Sequence, residues 1–375
     1  LFSDGRQQVV SAKDSSSGTE YSKDRFNINP NGKIFESGVP DILLLNDGNG
    51  NFKPHKASTL LTNESNQYYL NSLNWGLGSI FADINNDYID DLYVCNDLDG
   101  GDYLYYGNGE GNFIAANERL KFKSPMFSMG VDVADINNDG WMDIIVVDML
   151  NNQLNRRKLQ IKHPPKITES SEPPYVYQEN SRNMLFLGNA SGGFDEIAHY
   201  AMLESSDWSW SPLFIDVDLD GFQDLLVTNG FSYDLENPDI IRKLSNRAIA
   251  YANRNNGTIG YINEKAFEAS RTRNDPNCAF KNNRDLTFTD VSKDWNFNFS
   301  GVSHGACLAD LDNDGDEDVL VNNFSLYIPE KVLLGEVLPK IQPSNPSAGI
   351  YRNISSKPRI RVQVALTAGT THGIG

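Results

Sequence analysis

Asp216-Val-Asp218-Leu-Asp220-Gly-Phe222-Gln-Asp224, followed at once by Leu225-Leu-Val-Thr228, is the stretch on which the fold turns. The same nine-residue pattern recurs three more times. It appears as Asp83-Ile-Asn85-Asn-Asp87-Tyr-Ile89-Asp-Asp91, as Asp135-Ile-Asn137-Asn-Asp139-Gly-Trp141-Met-Asp143, and as Asp310-Leu-Asp312-Asn-Asp314-Gly-Asp316-Glu-Asp318. Every copy places oxygen-bearing side chains at positions 1, 3, 5 and 9, a spacing suited to a hard cation such as Ca²⁺. Three or four carboxylates within nine residues repel one another unless a positive charge lies between them. Four copies in one register are no accident, so the chain is read as a repeat protein with an acidic loop in each unit.

What flanks the loop tells which kind of acidic loop it is. An EF-hand requires a bidentate Glu at position 12 between two helices, whereas here that position is Val94, Val146, Val227 and Val321. The runs after the loops (Leu92-Tyr-Val-Cys95, Ile144-Ile-Val-Val147, Leu225-Leu-Val-Thr228, Val319-Leu-Val-Asn322) are short, apolar and rich in β-branched residues, and read as buried strands. Apolar runs such as Val131-Asp-Val-Ala134 precede them, giving strand, acidic loop, strand. Gly140, Gly221 and Gly315 stand at position 6, where a left-handed turn is expected; the first copy carries Tyr88 there.

A second repeated element sets the length of the unit. Asp41-Ile-Leu-Leu-Leu-Asn-Asp-Gly-Asn-Gly-Asn-Phe52 matches Asp102-Tyr-Leu-Tyr-Tyr-Gly-Asn-Gly-Glu-Gly-Asn-Phe113, with looser copies ending at Phe194 and Phe288. Each reads as a strand running into an Asn/Gly hairpin turn. The step from that Phe to the next acidic loop is 22 residues in three cases and 31 from Phe52 to Asp83. Four strands in about 50 residues point to an all-β fold, a β-propeller of four-stranded blades.

On these residues the chain resembles the FG-GAP/VCBS repeat of integrin-α-like β-propellers. Tyr351-Arg-Asn353, Arg359-Ile-Arg-Val-Gln-Val-Ala-Leu366 and His372-Gly-Ile-Gly375 are similar to the entry of an ASPIC/UnbV module, found in cartilage-acidic-protein-like members, many of them bacterial and secreted. The resemblance implies a propeller over residues 1–353, seven-bladed when complete, and the start of a C-terminal β module over 354–375. It also implies about four Ca²⁺ ions. Their ligands would be the side chains of Asp83, Asn85, Asp87 and Asp91, of Asp135, Asn137, Asp139 and Asp143, of Asp216, Asp218, Asp220 and Asp224, and of Asp310, Asp312, Asp314 and Asp318. The backbone carbonyls of Ile89, Trp141, Phe222 and Asp316 would complete the sets.

Composition is in keeping with this. The net charge of −18 owes much to the fourteen candidate ligand carboxylates, and four Ca²⁺ would leave about −10. So acidic a surface argues against nucleic-acid binding, which rests on Lys and Arg neutralising phosphates. No apolar run is long enough to span a membrane as a helix. The chain starts without Met or signal-peptide pattern and is read as a mature or truncated piece of a longer protein, exported to the cell exterior. Its cysteines, Cys95, Cys278 and Cys307, are too few for a disulfide scaffold. Cys95 and Cys307 are expected to be small buried hydrophobes, and a disulfide involving Cys278 stays open.

Two insertions interrupt the repeat. The first, about residues 151–180, holds the basic cluster Arg156-Arg-Lys158 with Lys162 and His163. The second, about 231–277, places Pro238 before Ile240, Ile241, Leu244, Ala248 and Tyr251 at helical spacing. Loops on a rigid scaffold commonly carry binding; bracing of neighbouring blades is the alternative. Trp208 and Trp210, with Trp75, suggest a sugar platform, but Trp210 shares its repeat position with Leu77, Met129 and His304, which favours packing between blades. Gly301-Val-Ser303-His304-Gly305 has the letters of a nucleophile elbow yet precedes a strand rather than a helix. No catalytic residue is assigned. The expected function is a calcium-stabilised secreted or cell-surface module for adhesion to a protein or carbohydrate. The alternatives are a structural subunit contacting copies of itself and, more remotely, a polysaccharide-active enzyme.

Overall fold

The computed structural model describes residues 26–28, 34–36, 42–56, 61–62, 75–97, 101–160, 165–169, 176–231, 237–239, 242, 246, 275–324, 331–333, 336–338 and 348–354. Within them the chain builds four antiparallel blades in a propeller-like arrangement. The first runs Trp75–Ala82, Asp91–Asp97, Tyr103–Gly107 and Phe113–Ala115, with Leu61–Thr62 added parallel to its last strand. The second is Gly130–Ala134, Asp143–Val147, Met184–Gly188 and Phe194–Glu196, and the third is Ser209–Ile215, Asp224–Asn229, Cys278–Asn282 and Phe288–Asp290. The fourth has Ser300–Ala309, Asp318–Phe324 and Gly349–Tyr351, with Asp275–Pro276 on the other side of its first strand.

Each acidic loop joins the first two strands of a blade, as expected. The Asn/Gly hairpins also hold. Asp47, Asn108, Asn189 and Asn283 each donate their N–H to the carbonyl four residues on, at 2.9–3.2 Å. Residues 42–56 form such a hairpin ahead of the first blade, with Ile42–Asn46 paired to Phe52–Lys56.

The continuous apolar runs follow from burial on both faces of a sheet. In the second blade Ile144 and Val146 join Tyr93, Cys95 and Leu104 of the first. Ile145 and Val147, pointing the other way, join Phe214, Leu225, Val227 and Phe280 of the third. Leu226 of the third blade then packs with Val319 and Val321 of the fourth. The period-2 alternation of a strand thus splits one sequence between two inter-blade cores.

Successive first strands approach so closely that side chains are excluded. A Cβ on Gly130 would lie 2.2 Å from the Trp210 carbonyl, and one on Gly78 would lie 3.2 Å from the Gly130 backbone.

The described residues of the first insertion brace their neighbours. Val176–Asn180 pairs with Lys123–Pro125 and with Lys166–Glu169. Arg156 makes an ion pair with Asp275, whose side chain is fully buried. Arg157 reaches Ser205 at 2.6 Å and the Asn151 carbonyl at 2.8 Å. Pro238, Asp239, Arg242 and Asn246 are helical, and Asn237 Oδ1 caps the Asp239 N–H at 3.0 Å. Ile240, Ile241, Leu244, Ala248 and Tyr251 lie outside the described residues, as do Lys162, His163 and the C-terminal stretch 355–375.

All three cysteines are free. Cys95 and Cys278 are buried, but Cys307 is exposed, contrary to expectation. It lies on the first strand of the fourth blade between the half-buried Ala306 and Leu308, and no further blade packs there among the described residues.

The close approach at Gly130 is testable. We expect Gly130→Ala to cost about 1–3 kcal/mol in urea unfolding, as an overpacked contact with backbone does. Gly305→Ala, where a Cβ meets nothing within 4 Å, should stay within about 0.5 kcal/mol of the parent. Equal effects of the two would overturn the tight packing of the first strands.

Candidate functional site

The four loops share one hydrogen-bond scheme. The carboxylate at position 1 accepts the N–H groups of positions 5 and 6: Asp83 from Asp87 and Tyr88, Asp135 from Asp139 and Gly140, Asp216 from Asp220 and Gly221, Asp310 from Asp314 and Gly315, at 2.8–3.1 Å. The carboxylate at position 5 accepts the N–H of position 7, from Ile89, Trp141, Phe222 and Asp316. Position 6 is left-handed in every loop (φ 67° at Tyr88, 87° at Gly140, 89° at Gly221, 96° at Gly315). Tyr88 adopts the turn despite its Cβ and leaves its ring 82% exposed.

Position 4 is left-handed as well, at Asn86, Asn138, Leu219 and Asn313. Asparagine tolerates that region better than most residues, and here it also connects loops. Asn86 Nδ2 donates to the Gly140 carbonyl at 2.5 Å, and Asn138 Nδ2 to the Gly221 carbonyl at 2.8 Å. The first three loops are therefore joined at one end of the blades. Leu219 has no amide with which to extend the series.

Position 9 has a bracing role beside the expected one. Each of these aspartates is buried and spans two strands. Asp91 accepts from Ile84 and Gly107, Asp143 from Ile136 and Gly188, Asp224 from Val217 and Asn282, Asp318 from Leu311 and Asn353, at 2.8–3.1 Å. One oxygen holds the start of the loop and the other holds the third strand. Burial pushes the acids up, Asp91 to about 6 and Asp143 and Asp224 to about 7, against the opposing pull of those N–H groups. Sequence reasoning missed this bracing role because the partner N–H lies 16 to 58 residues away.

In the third and fourth loops the carboxylates stand close enough together to hold a cation. Carboxylate oxygens of Asp216, Asp218 and Asp224 converge within 4.8 Å of one another, as do those of Asp310, Asp312 and Asp314. In the first two loops position 3 is an amide, and Asn85 and Asn137 donate to Asp87 and Asp139 at 3.0 Å. Basic side chains reach the other two. Lys281 pairs with Asp218 and lies 3.9 Å from Asp220, Arg284 contacts Asp220 at 2.6 Å, and Arg352 pairs with Asp312. Burial would raise Asp220, but Arg284 and the Phe222 N–H hold its carboxyl low.

At the other end of the blades the first strands carry irregularities, between Gly76 and Ser79, Ser209 and Pro212, and Ser303 and Ala306. Bulges of this kind re-aim side chains, and these contain Leu77, Trp210 and His304. Trp210 and His304 are half-buried with ring centroids 4.3 Å apart, and Trp208 stacks on Phe231 at 4.3 Å. Ser303 lies within a strand and donates to Asn323 at 2.8 Å, so the Gly301–Gly305 stretch lacks the strand–turn–helix setting of a nucleophile elbow. The same end holds a repeated buried cap: Asp102, Asn183 and Asn277 each accept an N–H at or next to the end of the second strand, from Asn96, Asp148 and Asn229.

Residues 83–146 match a family model described as an FG-GAP-like repeat. That span runs from the first acidic loop into the strand after the second, so an FG-GAP-like repeat is matched over the first two of the acidic loops and not over the chain as a whole. No curated protein matches the chain. Among solved structures, one titled as specific recognition of non-reducing terminal N-acetylglucosamine by an Agrocybe aegerita lectin is 13% identical over 85% of this chain and 81% of that chain, with a TM-score of 0.26. A score of that size assigns neither fold nor ligand. No helix among the described residues is long and apolar enough to cross a membrane.

The cap at Asp102 gives a pH test. Burial raises this acid to about 7, and it accepts from Tyr93, Asn96 and Ser128. Because the folded pKa exceeds the unfolded one, near 3.8, the folded state holds the proton more tightly. Its stabilising share is therefore full below about pH 4 and is lost as pH rises through about 7. Asp102→Asn installs the amide that Asn183 and Asn277 already use. We expect it to match the parent below about pH 4 and to be more stable at pH 8 by on the order of 4 kcal/mol, at about 1.4 kcal/mol for each unit between the two pKa values. Unfolding curves of equal pH slope for the two proteins would refute this.

Proposed function

We propose that the chain is a calcium-stapled propeller of the cell exterior that binds a protein or carbohydrate at the end of the blades opposite its acidic loops. The carrying observation is the division between the two ends. All four acidic loops join first strands to second strands, and their side chains close on their own loop, with Asn86 and Asn138 also reaching the next one. The opposite end carries the inner-strand bulges at Leu77, Trp210 and His304 and the connections from which both insertions emerge.

The loops supply hard oxygen donors from positions 1, 3, 5 and 9 to a Ca²⁺ ion, which when bound neutralises their mutual repulsion. The chain's own residues do the holding. Position 1 fixes the turn through two N–H groups, and position 9 ties the turn to the third strand. An ion bound to the folded state alone stabilises it by mass action, by about 2.7 kcal/mol per site at a hundred times the dissociation constant. Exported proteins meet calcium at concentrations that suit such sites, which is the support for an exterior location.

The opposite end suits recognition for a different reason. Its groups are not consumed by cation binding, and its frame is fixed by Arg156–Asp275 and the Asp102, Asn183 and Asn277 caps. Trp210 and His304 offer a half-buried aromatic surface, and an aromatic face beside hydrogen-bonding groups can receive either a pyranose ring or an apolar side chain.

Two measurements check this. Excess EDTA should lower the melting temperature by on the order of 5 °C, with millimolar Ca²⁺ restoring it and Mg²⁺ not, since Mg²⁺ requires tighter octahedral geometry. An unchanged melt would sink the stapling. For recognition, the protein with Ca²⁺ is screened on a glycan array and on immobilised extracellular-matrix proteins. We expect a binder whose retention falls in His304→Ala with the melt preserved; a binder indifferent to that change, or none on either panel, counts against the assigned face.

A further inference from the structure

The four loops differ at position 3, and the difference tracks a second residue far away in sequence. Position 3 is Asn85 and Asn137 in the first two loops and Asp218 and Asp312 in the last two. The second residue immediately precedes the N–H that holds the outer oxygen of the position-9 aspartate. Those N–H groups belong to Gly107, Gly188, Asn282 and Asn353, so the preceding residues are Tyr106, Leu187, Lys281 and Arg352. Where position 3 is an amide this neighbour is uncharged. Where position 3 is a carboxylate the neighbour is a cation, and it contacts that carboxylate: Lys281 with Asp218, Arg352 with Asp312.

The geometry points to a matched pair. We propose that Lys281 and Arg352 are tethered counter-ions to the additional carboxylates Asp218 and Asp312, and that they tune how tightly the third and fourth loops take a free divalent cation. Counting ligand positions, the first two loops hold three carboxylates each, and the last two hold four carboxylates and one tethered cation. At these ligand side chains every loop then carries the same net charge, before Arg284 and the further loop acids Asp90, Asp316 and Glu317 are counted. The donor position is equivalent as well. In the first two loops the Asn85 and Asn137 amides donate to the position-5 carboxylates at 3.0 Å, while in the third Lys281 stands on Asp218 and 3.9 Å from Asp220.

The placement follows from the fold. Asp224 draws the Asn282 N–H to 2.9 Å and Asp318 draws the Asn353 N–H to 2.8 Å, so the preceding side chain is delivered beside the loop whatever its identity. The brace thereby makes that neighbour an adjustable position. A positive group there opposes a second positive charge a few ångströms away and stabilises the loop while no ion is bound.

The cation part of this proposal rests on the reading of the loops as calcium sites; the pairing does not. The test is a double-mutant cycle on Lys281→Leu, Asp218→Asn and the combined variant, followed by thermal melts in excess EDTA and by calorimetric titration with CaCl₂. Lys281→Leu should melt lower than the parent in EDTA and bind one Ca²⁺ about tenfold tighter, the effect of removing a charge a few ångströms away in a partly solvated site. The combined variant recreates the Asn137–Leu187 arrangement and should recover most of both changes. Failure of Asp218→Asn to recover the EDTA melt would reduce Lys281 to a packing residue and overturn the proposal. So would an unchanged Ca²⁺ affinity in Lys281→Leu when the parent binds the ion. If no protein in the set binds Ca²⁺, the calcium reading falls, while the EDTA melts still decide the pairing. Arg352→Leu with Asp312→Asn repeats the cycle in the fourth loop should Lys281→Leu not fold.

Discussion

A buried carboxylate at the end of each acidic loop holds the repeat unit together. Asp91, Asp143, Asp224 and Asp318 each take N–H from the start of their loop and one from the end of the third strand of their blade or just past it. A buried acid in a protein interior is costly unless its oxygens are satisfied, and these are satisfied by backbone, which side-chain variation cannot withdraw. Loop and strand pairing are therefore one structural event. Without the clamp the nine-residue turn would lack an anchor to the sheet, and the third strand would lack a fixed start for its hairpin.

The rest of the blade depends on that register. With the loop fixed against the third strand, the second strand must alternate its side chains between two neighbouring sheets. Ile144 and Val146 go to one inter-blade core and Ile145 and Val147 to the other. A one-residue slip would exchange these sets and aim each at the wrong partner. The first strands are held at backbone contact distance around Gly78 and Gly130, and Asn86 and Asn138 join consecutive loops. Neighbouring blades are thus joined by apolar packing in the middle and by amide hydrogen bonds at the loop end.

Much of this was legible in the sequence, because the repeat states it four times. The strand after each loop, the left-handed position 6 and the Asn-led hairpins all depend on residues close together in the chain. What escaped depends on partners far apart. The double role of position 9, the pairing of Asp218 with Lys281 across 63 residues and that of Arg156 with Asp275 across 119 have no local signature. For Arg156-Arg-Lys158 the sequence left binding and bracing open, and Arg156 and Arg157 contact Asp275, Asn151 and Ser205. Cys307 was misjudged for a related reason. Its apolar neighbours suggested a buried strand, but burial also requires a neighbouring sheet, and that is set by the order of the blades rather than by the strand's own residues.

The two ends of the blades are consequently under different constraints. At the loop end nearly every polar group is tied to backbone, to an adjacent loop or to a tethered cation, so a change at one position is felt by several others. Lys281 and Asp218 can vary only together if the loop is to keep its charge, which explains how copies with Asn and copies with Asp coexist in one chain. The bulged end is coupled in another way, through the Asp102, Asn183 and Asn277 caps and through the contacts of Trp210 with Gly230 and His304. Leu77, Trp210 and His304 occupy the same repeat position with unrelated chemistry, and the bulge accommodates each without disturbing the clamp at the far end of the strand. A scaffold with its register fixed at one end can alter the other end residue by residue, which is the physical requirement for a binding surface to change while the fold does not.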